Sequence, residues 1–308
     1  MFGPKTLRSI SGTTKHRVVP HSLTFVADFL IVAGAGSSGV GIYNYSGGGG
    51  AGGLICSGQA LQGGGGSAQS SITLGIGLYS IVVAGETVGV NNQYQGVVGS
   101  NSSAFGHTAL GGGLAGGSQA YQAAGGGGSG GGGAGGDYGY QTGGGSGTAN
   151  QGYGGGVSGN NSMVGHYGAS GGGGGGGAGG TGGNALYDPV YPQNPQWYQH
   201  GGAGGLGLLW IDGNVYACGG PGGAGGVTGA TQGAFAANYP SGGQPNRGFG
   251  GDIGRTDAKS TVKGYGGAGV VIIRYSANQG FTTSGGTQTR VGGYIFETFT
   301  TSATLVVA

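Results

Sequence analysis

The feature that most constrains this chain is its glycine. Between Gly111 and Gly269 it passes repeatedly through tracts such as GGGGSGGGGAGG (125–136), GGGGGGGAGGTGG (171–183), GGAGGLG (201–207) and GGPGGAGG (219–226). Each glycine costs about 1 kcal/mol relative to alanine inside a helix, so no α-helix forms through such tracts. The residues that interrupt the glycine recur three apart: Ala178, Thr181 and Asn184; Pro221, Ala224, Val227 and Ala230; Tyr265, Ala268 and Val271. Three is the period of the polyproline-II-type helix, which rises about 3.1 Å per residue and has no internal hydrogen bonds.

Three architectures compete for such a composition. Collagen requires strict Gly-X-Y and abundant proline, whereas this chain has 8 Pro among 91 Gly and an unbroken run from Gly171 to Gly177. A disordered linker would be charged and poor in aromatics, but only 6% of residues here are charged and there are 17 Tyr and 9 Phe. The remaining architecture is an ordered one. Extended glycine helices packed side by side can bond to one another through their outward N–H and C=O groups, provided no Cβ stands between them. One such helix gains too little to offset its ordering cost of about 1–2 kcal/mol per residue; a bundle sealed at its edges by strands and aromatics can hold.

Strand-like apolar runs bracket the glycine: 23–33, 71–84, 206–217, 270–275, 294–299 and 304–307. Apolar residues at 23, 25, 27, 29, 31 and 33 have the period of two expected of one buried strand face. The first run flows into Gly34-Ala35-Gly36-Ser37-Ser38-Gly39, formally the G-x-G-x-x-G dinucleotide fingerprint. At this glycine content about eight such matches arise by chance, and the required context is missing. No helix can follow through VGIYNYSGGGGAGG (40–53), and the next acid after Asp28 is Glu86, too far on to hold a ribose. The expected fold is mainly β without significant α-helix. A small β-core frames a packed bundle of polyglycine-II helices, with Tyr/Asn-rich loops gathered at its two ends. The expected organisation is an N-terminal arm (1–22), the glycine-rich domain (23–275) and a C-terminal strand segment (276–308).

Little points to chemistry. The net charge is +2 without a long basic run, so nucleic acid is not an expected partner. No 18-residue apolar stretch occurs, and the N-terminus lacks the apolar core of a signal peptide. Cys56 and Cys218 read as small core residues rather than a disulfide or metal pair. The eight acids are scattered, and His16, His21, His107, His166 and His200 show no ligand spacing. No catalytic, cofactor or metal site is expected, and the chain does not read as an enzyme.

The segments between tracts are turn-rich and loaded with Tyr, Asn and Gln. The densest is YDPVYPQNPQWYQH (187–200), where Tyr187, Tyr191, Trp197 and Tyr198 stand among three prolines. Aromatics offer large contact area at low entropic cost and are favoured in recognition loops; the same rings could instead seal the bundle end. Tyr138, Tyr140 and Tyr153 carry the same two readings. At the N-terminus Lys5, Arg8, Lys15 and Arg17 form a basic head suited to attachment.

In outline the chain resembles the glycine-rich domain of tailed-phage fibre and virion proteins. The likeness runs from residue 23 to 308: LIVAGAG, GGGGAGG, ITLGIGLYSIVVAGE, SSAFG, GGGGSGGGG, VYACGGPGGAGG, GGAGVVIIRYS and YIFETFTTSATLVVA. It is also similar to the distal tail-fibre adhesins of T-even-like phages, whose polyglycine-II helices carry variable receptor-binding loops. Unlike those proteins it has no long stalk repeats. The resemblance implies a virion surface protein that recognises a host glycan or outer-membrane protein through its Tyr-rich loops. It also implies contact with other virion proteins through the N-terminal arm, and fibre analogy implies a homotrimer. A head fibre or decoration protein, or an extracellular glycine-rich structural protein, are the other readings.

Overall fold

A computed structural model describes residues 24–39, 46–59, 62–89, 95–117, 122–136, 141–159, 170–187, 199–224, 245–251 and 264–308. Among them there is no helix. The attachment candidates Lys5, Arg8, Lys15 and Arg17 lie outside these residues.

The chain enters through β1 (Thr24–Val32), followed by β2 (Leu54–Cys56), β3 (Ile72–Gly75), β4 (Gly77–Ile81) and β5 (Thr87–Val88). Three hairpins follow: β6 (Ser102–Ala104) with β7 (His107–Ala109), β8 (Leu186–Tyr187) with β9 (Gln199–His200), and β10 (Leu208–Leu209) with β11 (Val215–Tyr216). The closing strands are β12 (Tyr265–Gly266), β13 (Val270–Ser276), β14 (Thr283–Ser284), β15 (Thr287–Val291), β16 (Tyr294–Phe299) and β17 (Ala303–Val307). All ladders between these strands are antiparallel. One sheet runs β15-β16-β13-β1-β2, with β3 sharing the second edge of β1, and a smaller sheet runs β14-β17-β4. The boundary between 275 and 276 falls within β13, and the residues after it pair back onto β13 and β4. The C-terminal segment is thus woven into the sheet of β1 through β15 and β16 and into the sheet of β4 through β14 and β17.

The run ITLGIGLYSI is two strands rather than one. Gly75 ends β3 on β1, and after the bend at Ile76 the chain continues as β4 on β17. Phe25, Ala27, Phe29 and Ile31 of β1 face Ile81, Leu305 and Val307 of the small sheet, which gives a sandwich core. The alternation expected over residues 23–33 holds for that face over the described residues 24–33. From Leu30 onward the other face is buried too, because Leu30 and Val32 pack with Leu54, Cys56, Trp210 and Ile272 in a second core. Burying each such side chain contributes about 1.5–3 kcal/mol. Trp210 is anchored there by its Nε1–H, which donates to the Ser57 carbonyl at 3.0 Å.

Two polar devices stiffen the sandwich. Asp28 and Arg274 are cross-strand partners on β1 and β13, and Arg274 Nη2 reaches Asp28 Oδ2 at 2.5 Å while its guanidinium lies over the Tyr294 ring. Glu297 is fully buried, and its carboxylate accepts from the Thr283 hydroxyl, the Gly286 N–H (3.0 Å) and Gln288 Nε2 (3.2 Å). A buried charge is tolerated only when its lone pairs are satisfied in this way.

Beyond the sandwich the glycine tracts form the expected lattice. Along 46–54 the N–H groups of Gly47, Gly50 and Gly53 donate to Gly116, Gly113 and Leu110; those of Gly48 and Ala51 donate to Gly173 and Gly176; those of Gly49 and Gly52 donate to Gly251 and Gly248. The carbonyls accept in the same rhythm. Gly53 and Gly50 accept from Ala33 and Gly36, Ala51 and Gly48 from Ser129 and Gly132, and Gly49 and Ser46 from Gly220 and Gly223. Six segments thus surround one, each met every third residue, at N···O distances of 2.8 to 3.3 Å. That is polyglycine-II packing, with threefold periodicity replacing the twofold ladder of a sheet. The close approach accounts for the glycine. An ideal Cβ on Gly175 would lie 2.0 Å from the Gly49 oxygen, and one on Gly49 would lie 2.2 Å from the Gly36 oxygen.

Candidate functional site

The lattice bonds fix which end of the bundle each segment points to. Gly36 stands level with Gly50 and Ala33 with Gly53, so residue 39 lies at the end of the bundle where Ser46 begins. The same bookkeeping puts Gly117, Gly136, Gly159, Ser170, Ala185 and His200 at that end. The described residues on both sides of 40–45, 90–94, 118–121, 137–140, 160–169, 188–198 and 252–263 therefore stand at one pole. The residues before 225–244 stand there too, whereas those after it stand at the β pole, where the Arg247 carbonyl accepts from the Ala217 N–H.

The opposite pole is built differently. There the passes are joined by tight turns at 148–151 and 178–181 and by the β10–β11 hairpin, and there the two sheets sit. Thr24 pairs with Gly75 at the far end of β1, and Ala308 exchanges both of its hydrogen bonds with Thr282. The described ends of the chain thus lie at the β pole. The sequence led us to expect loops at both ends of the bundle. Turns do lie at both: the Asn150–Gln151 turn and residues 245–247 stand at the β pole, and the bases of most of the longer Tyr/Asn-rich segments stand at the other.

Several of these bases adjoin. Gly135 and Gln141 form a bridge that closes 137–140. Beside it an ideal Cβ on Gly135 would lie 1.9 Å from the Ser170 oxygen, and one on Gly171 would lie 2.8 Å from the His200 oxygen. The segments 137–140, 160–169 and 188–198 therefore start from neighbouring positions. The last is closed by the β8–β9 ladder, with Leu186 opposite His200 and Tyr187 opposite Gln199. Side-chain amides tie this rim together: Asn184 Oδ1 accepts from the Val157 N–H at 2.9 Å, and Gln141 Nε2 donates to the Ser158 carbonyl at 3.0 Å. Gly136, Gln141, Gly159, Ser170, Tyr187 and Gln199 are all uncharged.

Of the aromatic candidates, Tyr187 is placed in β8 at the base of its segment. Tyr191, Trp197 and Tyr198 lie in 188–198, and Tyr138 and Tyr140 in 137–140, outside the described residues, with flanks at this pole. Tyr153 is separate. Its N–H donates to Gly177 and its carbonyl accepts from Gly130, which places it towards the β pole on the flank of the bundle, 38% exposed. Sequence reasoning placed Asn184 in a glycine tract and His200 in the aromatic segment but did not join them with Gln141, because nothing in their local sequence marks the three as one rim. A signal for the single pole does exist. The long segments are separated by stretches of double-pass length (122–136, 141–159, 170–187, 199–224), each folded back on itself at the β pole.

The titratable groups elsewhere read as structural. Asp212 Oδ2 accepts from the Tyr216 hydroxyl at 2.6 Å, with Arg247 over the Tyr216 ring. Burial, followed by Asp212, pushes the Tyr216 phenol up. Burial likewise pushes the thiols of Cys56 and Cys218 up to about 12, as befits small core residues. No group of three His, Cys, Asp or Glu among the described residues is arranged to hold a metal ion. No family profile, characterised protein or solved structure matches this chain.

Proposed function

We propose that this chain is a receptor-recognition module on the surface of a tailed bacteriophage, of the tail-fibre adhesin type. The observation that carries this reading is the polarity of the bundle. The bases of most of the long Tyr/Asn/Gln-rich segments share one pole, while the β-core and the described ends Thr24 and Ala308 occupy the other. Such an arrangement presents one end of a rigid scaffold to a target and leaves the other for mounting. The lattice spends its side chains on the display, because its interior is backbone bonded to backbone. Function in this reading is binding without catalysis. The target is a host-surface glycan or outer-membrane protein met by Tyr191, Trp197, Tyr198 and Tyr187, together with Tyr138 and Tyr140 from the adjoining segment. Tyr153 is set aside from that surface. The N-terminal cations contact the rest of the particle, and fibre analogy makes the assembly a homotrimer.

The test is binding of the purified chain to host cells and its competition with infection. Trp197→Ala combined with Tyr191→Ala should abolish both and leave the thermal transition unchanged. Loss of particle assembly with cell binding intact would support the head-fibre or decoration reading instead.

A further inference from the structure

The chain crosses from the small sheet to the large one through Gly285 and Gly286, which join β14 to β15. Thr283 stands on one side of that crossing. Gln288 stands on the other, directly opposite Glu297 in the β15–β16 ladder. The Thr283 hydroxyl donates to Glu297 Oε2. Gln288 Nε2 donates to the same Oε2 at 3.2 Å and to Thr283 Oγ1 at 3.0 Å. One carboxylate oxygen thus touches a hydroxyl and a side-chain amide nitrogen that also touch each other.

Each member is held in place. The Gly286 N–H fixes Glu297 Oε1 at 3.0 Å, and Gln288 Nε2 donates to the Thr283 carbonyl at 2.7 Å. The Tyr275 hydroxyl bonds Thr283 Oγ1 at 2.5 Å, and burial pushes that phenol up, so it stands as a donor. A threonine hydroxyl is a weak nucleophile until an adjacent base takes its proton, and the fully buried Glu297 is placed as that base. The Gln288 amide carbon is one C–N bond of about 1.33 Å from Nε2, which puts it no more than about 4.3 Å from Thr283 Oγ1. Reacting atoms poised for attack stand about 3–3.5 Å apart. Gln288 is exposed and its terminal torsion is broad, so side-chain rotation closes the gap.

The geometry points to an intramolecular ester between Thr283 and Gln288, formed by the chain itself with release of ammonia. Thr283 Oγ1 bonds to the Gln288 amide carbon as its proton passes to Glu297 Oε2. The carbon–nitrogen bond then breaks, the same carboxylate oxygen gives the proton to the leaving Nε2, and ammonia departs. Glu297 ends as the carboxylate it began as, and nothing is oxidised or reduced. The product ties β14 to β15 where the two sheets meet, at an edge strand whose residues are all exposed. It is independent of what the opposite pole binds.

The test is the intact mass of the purified full-length chain, held at neutral pH until that mass is constant. It should fall one ammonia below the sequence mass. In the tryptic peptide 275–290 the deficit should map to the ring from Thr283 to Gln288, and hydroxylamine should open that ring to leave a hydroxamate at 288. Thr283→Val and Glu297→Gln should each keep the full mass of their own sequences, whereas Thr283→Ser, which restores a hydroxyl, should lose ammonia like the parent. A parent chain at its full sequence mass would overturn the inference and leave the cluster a hydrogen-bonded one only. So would a deficit that maps outside 283–288, such as a succinimide at Asn278, or one that survives Thr283→Val.

Discussion

Consider adding a single methyl group at Gly175. An ideal Cβ there would lie 2.0 Å from the Gly49 oxygen and 2.5 Å from its carbonyl carbon, in backbone that has no side chain to move aside. Relief requires 46–54 and 172–177 to separate by about 1 Å or more, since carbon and oxygen are comfortable only near van der Waals contact. That separation breaks the bonds on either side, Gly48 N–H to Gly173 and Ala51 N–H to Gly176, both 3.0 Å. Each buried pair left unmade costs about 1–3 kcal/mol, so the loss is about 2–6 kcal/mol. The lower entropy of the unfolded alanine chain returns only about 0.4–1 kcal/mol. Against a typical domain stability of about 5–15 kcal/mol, one methyl group removes a large share. Gly143 is the control: it lies in a similar tract with a φ outside the left-handed region, and an ideal Cβ there has nothing within 4 Å. Gly143→Ala should be neutral or stabilising by up to about 1 kcal/mol. Equilibrium denaturant unfolding followed by tryptophan fluorescence measures both. Gly175→Ala within about 0.5 kcal/mol of the parent, or equal costs at the two sites, would refute the lattice as the source of stability.

Glu297→Gln places an amide where a carboxylate accepts from three donors, and it should lower stability by about 1–3 kcal/mol, read as a drop in Tm. Phe105 sits in the β6–β7 turn with φ 54°, where glycine is at ease and other residues are strained by about 1–2 kcal/mol. Phe105→Gly should therefore be less damaging than Phe105→Ala, the reverse of the usual order, in paired thermal melts. The thiols of Cys56 and Cys218 titrate higher folded than unfolded, so their contribution is complete below the ordinary thiol range and is lost as pH rises towards about 12. Alkaline unfolding should steepen across that window, and Cys56→Ala should lessen the slope. A thiol reagent at pH 8 should label neither cysteine before denaturation.

The strands at 24–32, 270–276, 294–299 and 303–307 were legible because short apolar runs, alternating in the first and continuous in the second, report burial wherever a side chain exists. The hairpin partner β15, TQTRV, was not, since all its residues are exposed and its place depends only on β16. The short β2 escaped notice for the opposite reason: three buried residues show no alternation of their own, and Ile55 faces one core while Leu54 and Cys56 face the other. At the candidate site the aromatic segments could be named from composition. The rim that carries them, Gln141, Asn184 and His200, is assembled from three separate passes of the chain.

Sequence alone determined that glycine helices of period three would pack backbone to backbone, because no other residue permits carbonyl oxygens 2 Å from where a Cβ would be. It also determined that ordinary β-structure would close the edges, including the strand FLIV (29–32), which hands over to the lattice at Ala33. What it left open was which helix meets which, and therefore which end of the bundle carries the loops. One Gly–Gly hydrogen bond is chemically the same as any other, so the tracts hold no code for their partners. The tertiary structure makes that choice. Tight turns and the apolar cores anchor every second reversal at the β pole, and the bases of most long segments are left together at the other.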